Sequence, residues 1–544
     1  MKKINNIIAI LTLSVFALTS CIKEVVPMTS YATSEQIAAS ASAMEASVNG
    51  IPAQMCQGYL VYGEQVHETD MAFPQFMIAF TELLGDMYPE GSNSGYDWYR
   101  NYNTFDRAYG DNSYFAYLPW FTCYQFIKSS NDIIGAVNLE DPDITSSVKA
   151  FAGMAYACRA FDYYLLTVMF EPKENIYTDC SKVLGLTVPR VDENSSPETA
   201  KNNPRMTHKE VIDFMISDLT IAEDCLKDYT PTSKLVPSLA VVYGIRAKVH
   251  MWDEDYANAA TYARKAIDTF GGSPVTAVQW NDVNTGFNTE NQAWMWKLHY
   301  SAENMRNLAN FIGWMSGEAD WGYSSLTFPS IDKSLYDKIA DNDFRKYSFL
   351  DPARYEFYAY QSCRDTDYIL NTAPDYLSLK FRPLGGDWES YEVGGAIDVP
   401  VMRVEEMYLL EAEAVGMSQT PADGAKLLND FMKSYRQDDY NFVPADARAL
   451  QLEVLTQERI EFWGEGWGFP NAKRIRPGII QNYTGTNAPA DIFKINCKDI
   501  KPNWNFVIPI SEVQANKALV GWNNPDPTGT VTGPSPVNEY AAAK

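Results

Sequence analysis

Apolar and small side chains recur at every third or fourth position over long parts of this chain, which is the period of an amphipathic helix. The run V-K-A-F-A-G-M-A-Y-A-C-R-A-F-D-Y-Y-L-L predicts a helix over 148–166, and H-K-E-V-I-D-F-M-I-S-D-L-T-I-A-E-D-C-L predicts one over 208–226. Thr207 stands where an N-cap belongs, and Glu210 completes a capping box. The stretch S-L-A-V-V-Y-G-I-R-A-K-V-H-M-W, the acidic turn D-E-D and Y-A-N-A-A-T-Y-A-R-K-A-I predict two helices packed back to back. Ala247, Ala259 and Ala263 are small where two such helices must approach closely. A second pair is expected over 401–416 and 422–437, and a further helix over 119–137.

These pairs resemble tetratricopeptide units, with long insertions such as 170–206 hiding the regular period. Residues 271–400 differ: they are rich in Gly, Pro, Asn and Asp and show little sustained period. Yet 23 of the 121 residues from 280 to 400 are aromatic, so these loops either pack down as a lid or display binding platforms. From Pro525 the chain turns Pro/Gly/Thr-rich and reads as a flexible C-terminal tail, 525–544.

At the N-terminus, Lys2 and Lys3 precede an apolar run, Ile7 to Leu18, that is too short to span a bilayer. L-T-S-C follows and resembles a bacterial lipobox, which makes 1–20 a signal peptide, Cys21 the lipidated residue, and 21–34 a tether. An ordinary cleaved signal with a chance cysteine is the alternative. Residues 35–524 are then the folded domain. The seven later cysteines form no C-x-x-C, and several fall on apolar helical faces as small core residues.

The chain carries a net charge of −25, and −27 without residues 1–20. That sign repels phosphates and anionic headgroups, which sets aside nucleic acid. No metalloprotease, nucleotide-binding or serine-hydrolase motif occurs, and no metal or cofactor is expected. His67 in H-E-T-D could ligate with Asp70, but a lone structural histidine is the plainer reading.

Two acid clusters need an account. In Q-E-R-I-E-F-W-G-E-G-W, Glu458, Glu461 and Glu465 stand at i, i+3 and i+7, and so would share one helical face near Arg459, Lys473, Arg474 and Arg476. In P-V-M-R-V-E-E-M-Y-L-L-E-A-E-A, Glu406 and Glu413 share a stripe with Leu409 and Leu410 behind Arg403. Buried carboxylates need cations, and Arg459 or Arg474 are the expected partners. A glycosidase would instead keep one carboxyl of raised pKa beside one of ordinary pKa in a cleft.

Two loops mix rings with polar groups, as sugar sites do. G-S-N-S-G-Y-D-W-Y-R-N-Y-N holds Tyr96, Asp97, Trp98 and Asn101, and W-M-S-G-E-A-D-W-G-Y holds Trp314, Trp321 and Tyr323.

Taken in order, the lipobox, R-A-F-D-Y-Y-L-L, S-L-A-V-V-Y-G-I-R-A-K, both acid clusters and the closing W-N-F-V-I-P-I-S-E-V resemble the SusD/RagB family of outer-membrane lipoproteins from Bacteroidetes. One departure is F-P-N-A-K-R at 469–474, where the family usually shows an Asp-Leu pair before Lys-Arg. The resemblance implies a mainly all-α domain of about four tetratricopeptide-like helix pairs, with irregular loops carrying the ligand site. It implies a non-enzymatic, lipid-anchored protein at the cell surface. Such a protein delivers an oligosaccharide, or in some members a peptide, to a SusC-like TonB-dependent outer-membrane transporter. On that basis Tyr96, Asp97, Trp98, Asn101, Trp314, Trp321 and Tyr323, with Tyr300 behind them, are the expected ligand residues. Arg403, Glu406, Glu413, Glu458, Arg459, Glu461, Glu465 and Arg474 are the expected scaffold ion pairs. A surface glycoside hydrolase using the clustered acids and a module that binds only protein are the competing readings.

Overall fold

A computed structural model describes residues 40–58, 71–89, 98–103, 110–305 and 307–530. The lipobox with Cys21, His67, Asp70, Tyr96, Asp97 and the chain beyond residue 530 lie outside the described residues. Counting helices of eight or more residues, the order is α1 (Ala41–Met55), α2 (Pro74–Leu84), α3 (Tyr114–Gly135), α4 (Ser146–Phe170), α5 (His208–Leu226), α6 (Leu239–Trp252), α7 (Tyr256–Phe270), α8 (Val404–Ser418), α9 (Pro421–Tyr435), α10 (Ala447–Glu461) and α11 (Gly468–Ile475). From α3 to α9 each helix packs on the next, so the α7–α8 contact closes over the long excursion between them.

The local chemistry behind these helices is the expected one. Thr207 and Glu210 form the capping box of α5. Asp255 caps α7, and the turn before it places Glu254 at positive φ. Ala247, Ala259 and Ala263 are fully buried, which lets α6 and α7 approach closely. The insertion between α4 and α5 holds a feature with no helical signal: a two-stranded antiparallel pair, Leu186–Pro189 with Arg205–Thr207. Arg205 ties that pair to α4 by donating to the carbonyl of Phe170.

Residues 271–400 are packed down. Their organising element is the antiparallel pair Trp294–His299 with Asp398–Arg403, which leads straight into α8. Trp280, Trp294 and Trp296 are core residues. All seven cysteines from Cys56 onward are unpaired, and six are buried. The expected tail begins as a turn, with the Thr530 amide donating to Pro527. No described helix is long and apolar enough to cross a membrane.

Candidate functional site

The acid clusters form a buried ionic core. α10 ends at Glu461, because Gly464 and Gly466 adopt left-handed φ of 75° and 79°, which L side chains disfavour. The chain therefore turns back on itself, and Glu465 does not continue the helical face expected for it. It returns beside Glu461, and both meet the arginine at the head of α8. Arg403 Nε donates to Glu465 Oε2 at 2.8 Å and Nη1 to Glu461 Oε1 at 3.1 Å. Arg436 Nε and Nη2 donate to the two Glu461 oxygens, each at 2.7 Å, and Arg345 Nη1 adds a bond at 3.1 Å. Lys380 donates to Glu465 Oε1 at 2.7 Å. Arg345, Arg403, Arg436 and Lys380 are thus matched by Asp343, Glu405, Glu461 and Glu465, all essentially without solvent contact. Trp280 lies beneath three of the cations.

Burial alone would raise the Glu461 pKa, but the guanidiniums of Arg436, Arg403 and Arg345 outweigh it and hold the carboxyl well below the usual range. A carboxylate so occupied has no lone pair left for substrate.

The other acids divide differently from expectation. Glu413 does pair with Arg474, at 2.7 Å. Glu406 pairs with Lys248 at 2.5 Å, and Arg459 with Asp86, so Arg459 meets neither acid of α8. Lys473 donates to the backbone carbonyls of Val168, Met169 and Trp504. Glu458 has no cation of its own; the Asn471 amide donates to both its oxygens, at 2.8 and 2.9 Å. Burial first, then repulsion from Glu413, pushes the Glu458 pKa up to about 8. A glycosidase acid has such a pKa, but Glu458 is 2 % exposed. Asn471 is the departure in F-P-N-A-K-R: an aspartate there would set a second carboxylate against this carboxyl.

The aromatic loops form a separate cluster. Trp98 to Tyr102 forms a short 3-10 turn. Its Trp98 ring is 38 % exposed, while Asn101 is buried and donates to the Trp98 carbonyl at 2.9 Å. Tyr99 is the bridge. Its ring meets Trp314 edge-on at 5.0 Å, and Trp314 in turn stacks on Tyr323 at 4.2 Å and 15°. Trp98, Asn101, Trp314 and Tyr323 are therefore brought together. Tyr99 was not among the expected site residues, and nothing in the sequence separated it from its neighbours.

Two expected platforms are covered. Trp314 is 5 % and Trp321 6 % exposed. The Trp321 ring lies under the turn at Gly394, where a Cβ would approach it to 2.5 Å. Among the described residues the indole N–H groups of both tryptophans are buried without a hydrogen-bond partner. Tyr300 is buried as well, and its hydroxyl donates to the Met71 carbonyl at 3.2 Å. A pocket of about 20 Å³ opens against Tyr99 and Trp314, room for one water and no sugar ring. Among the described residues no His, Cys, Asp and Glu cluster could hold a metal.

The chain thus combines a helical-repeat body, an exposed aromatic loop cluster and a sealed ionic core. Residues 69–251 match the SusD-like family model described as "Starch-binding associating with outer membrane". SusD-like protein P2 of Formosa agariphila is 25 % identical over 81 % of this chain and 86 % of its own. A SusD-like carbohydrate binding protein from Bacteroides vulgatus superposes with a TM-score of 0.68 at 20 % identity, covering 89 % of this chain and 98 % of that one. A laminarin binding SusD-like protein superposes with a TM-score of 0.60 at 18 % identity, covering 89 % and 98 %. At those identities the superpositions show a shared fold. The chain is similar to the SusD-like family, through the family model over residues 69–251 and through its curated relatives over most of its length.

Proposed function

We propose that this chain is a non-catalytic glycan-binding lipoprotein of the outer membrane. It captures an oligosaccharide at the Trp98 face and passes it to a SusC-like TonB-dependent transporter. The observation that carries the reading is the contrast in accessibility. Glu461 and Glu465 are buried and occupied by cations, whereas Trp98 is a partly exposed indole next in sequence to Tyr99, which packs on Trp314. Trp98 offers a flat face for the C–H side of a sugar ring, and Trp314 and Tyr323 hold the turn that presents it. Asp97 and Tyr96 precede Trp98 directly and would supply the polar contacts. The orphan N–H of Trp314 and of Trp321 are donors that a loop movement would offer to hydroxyls. The family description and the laminarin-binding neighbour support a neutral glycan over other ligands. Cys21 would carry the lipid.

The experiment is calorimetry and affinity electrophoresis of the mature chain against neutral and acidic polysaccharides and peptides, with the products checked for cleavage. Binding without cleavage is expected, weakened by Trp98→Ala. Cleavage, or binding indifferent to Trp98→Ala, would refute it. Replacing Cys21 by Ser should release the protein from the membrane fraction.

A further inference from the structure

We propose a second oligosaccharide-binding cleft on this chain, between the C-terminal ends of α5 and α7; this rests on the glycan reading above. The space there is about 580 Å³, within the range of roughly 300–1,000 Å³ for small-molecule sites. The pocket against Tyr99 and Trp314 is far smaller.

The walls have the chemistry a sugar needs. Tyr229 and Phe270, both half-buried, supply rings. The Tyr229 ring is fixed edge-on against Phe151, 6.2 Å away. Val236 and Met295 make an apolar floor. Exposed hydroxyls of Thr230, Thr232 and Thr269 line the rim, where they can trade water for sugar hydroxyls. Lys234 and Glu290 pair at 3.2 Å beside them, offering a donor and an acceptor with no net charge. Lys227 also lines the cleft and is paired with Asp224 at 2.7 Å, so the lysines there are matched by acids, which suits a neutral ligand.

The cleft is also rigid, which lowers the cost of binding. Its loop is fastened at two points to the strand Trp294–His299 and at a third to the segment just before it. The Lys297 amide donates to the Lys234 carbonyl at 3.0 Å, the Trp296 indole to the Leu235 carbonyl at 3.1 Å, and Lys234 Nζ to the Asn291 carbonyl at 2.9 Å. A polysaccharide chain engaging this cleft and the Trp98 face would be held at two places, and two weak sites joined by one ligand retain it more strongly than either.

The test is calorimetric stoichiometry of the mature chain with malto-oligosaccharides and laminarin-derived oligosaccharides. Two sites per chain are expected. Tyr229→Ala should remove one, and Tyr229→Phe, which keeps the ring, should restore it. Thr232→Trp, on the exposed rim, should block the cleft without touching the core. Trp98→Ala should remove the other site. Retention on a polysaccharide gel should fall about tenfold in the Tyr229→Ala chain, the effect of one lost stacking ring. One site per chain, unaltered by Tyr229→Ala and Thr232→Trp, would overturn the cleft and leave the Trp98 reading standing. Peptides titrating at the cleft where glycans do not would also overturn it. Silence with every glycan would overturn both.

Discussion

Two regions of this molecule are built from rings and polar groups, and they are finished to different degrees. In the ionic core every oxygen of Glu461 and Glu465 accepts from a cation, and Trp280 backs the cations. In the loop region the rings of Trp314, Tyr99 and Tyr323 are packed, but two indole N–H groups bond to nothing among the described residues, and Trp98 faces solvent. Charges buried without partners cost several kcal/mol each, so Glu461 and Glu465 need every one of these cations; among the described core acids only Glu405 Oε2 is left without a hydrogen-bond partner. A binding face carries no such demand, since water or ligand can finish it. Glu461 and Glu465, which look catalytic in the sequence, are therefore fully engaged by cations.

The largest expected effect comes from breaking the complete region. Glu461→Ala leaves Arg436, Arg403 and Arg345 facing one another without their shared acceptor. Removing one partner of a buried ion pair costs about 3–5 kcal/mol, so the variant should unfold at clearly lower urea or fail to accumulate. A variant with wild-type stability would show that the network is dispensable.

Titration separates two neighbouring acids. The Glu461 pKa is held low in the folded chain, so its contribution is complete above the ordinary glutamate value, about 4.3. It is lost as pH falls further. Glu458 behaves in the opposite sense. Its folded pKa is raised, so folding favours its protonated form, and its contribution fades as pH climbs from about 4.3 towards about 8. Glu458→Gln should therefore gain melting temperature on wild type at pH 8 and lose that advantage by pH 5. An advantage independent of pH would show that Glu458 does not hold its proton. Asn471→Asp should act the other way and destabilise most at high pH.

How much of this was legible depends on the range of each interaction. The α6–α7 pair could be read because its determinants are local: a period of apolar positions, three alanines and an acidic cap within one turn. The end of α10 was misplaced because Gly464 and Gly466 sit inside an otherwise helical spacing of acids. The pairing of the acids was half legible. That Glu406, Glu413 and Glu461 need cations follows from their place on apolar faces, but Lys248, Arg345 and Arg436 come from distant segments that only the fold brings near. Asp86 took Arg459 for the same reason. Aromatic density marked the loops as special, yet could not say which rings are walls. Trp314, Trp321 and Tyr300 are as aromatic as Trp98, and burial alone distinguishes them.

That distinction gives the smallest stability effect and the sharpest contrast in binding. Trp98 is the most exposed ring of the cluster, at 38 %, so Trp98→Ala should cost clearly less stability than Trp314→Ala. Glycan affinity should fall about tenfold, the value of one lost stacking ring. Trp314→Ala removes a ring packed between Tyr99 and Tyr323, and large-to-small changes of buried aromatics cost about 3–5 kcal/mol. It should lose stability and binding together. If the two variants melt alike and bind alike, the division between a presenting stack and a presented face is wrong. If Trp98→Ala binds weakly at an unchanged melting temperature, the exposed ring is the contact and the buried rings are its support.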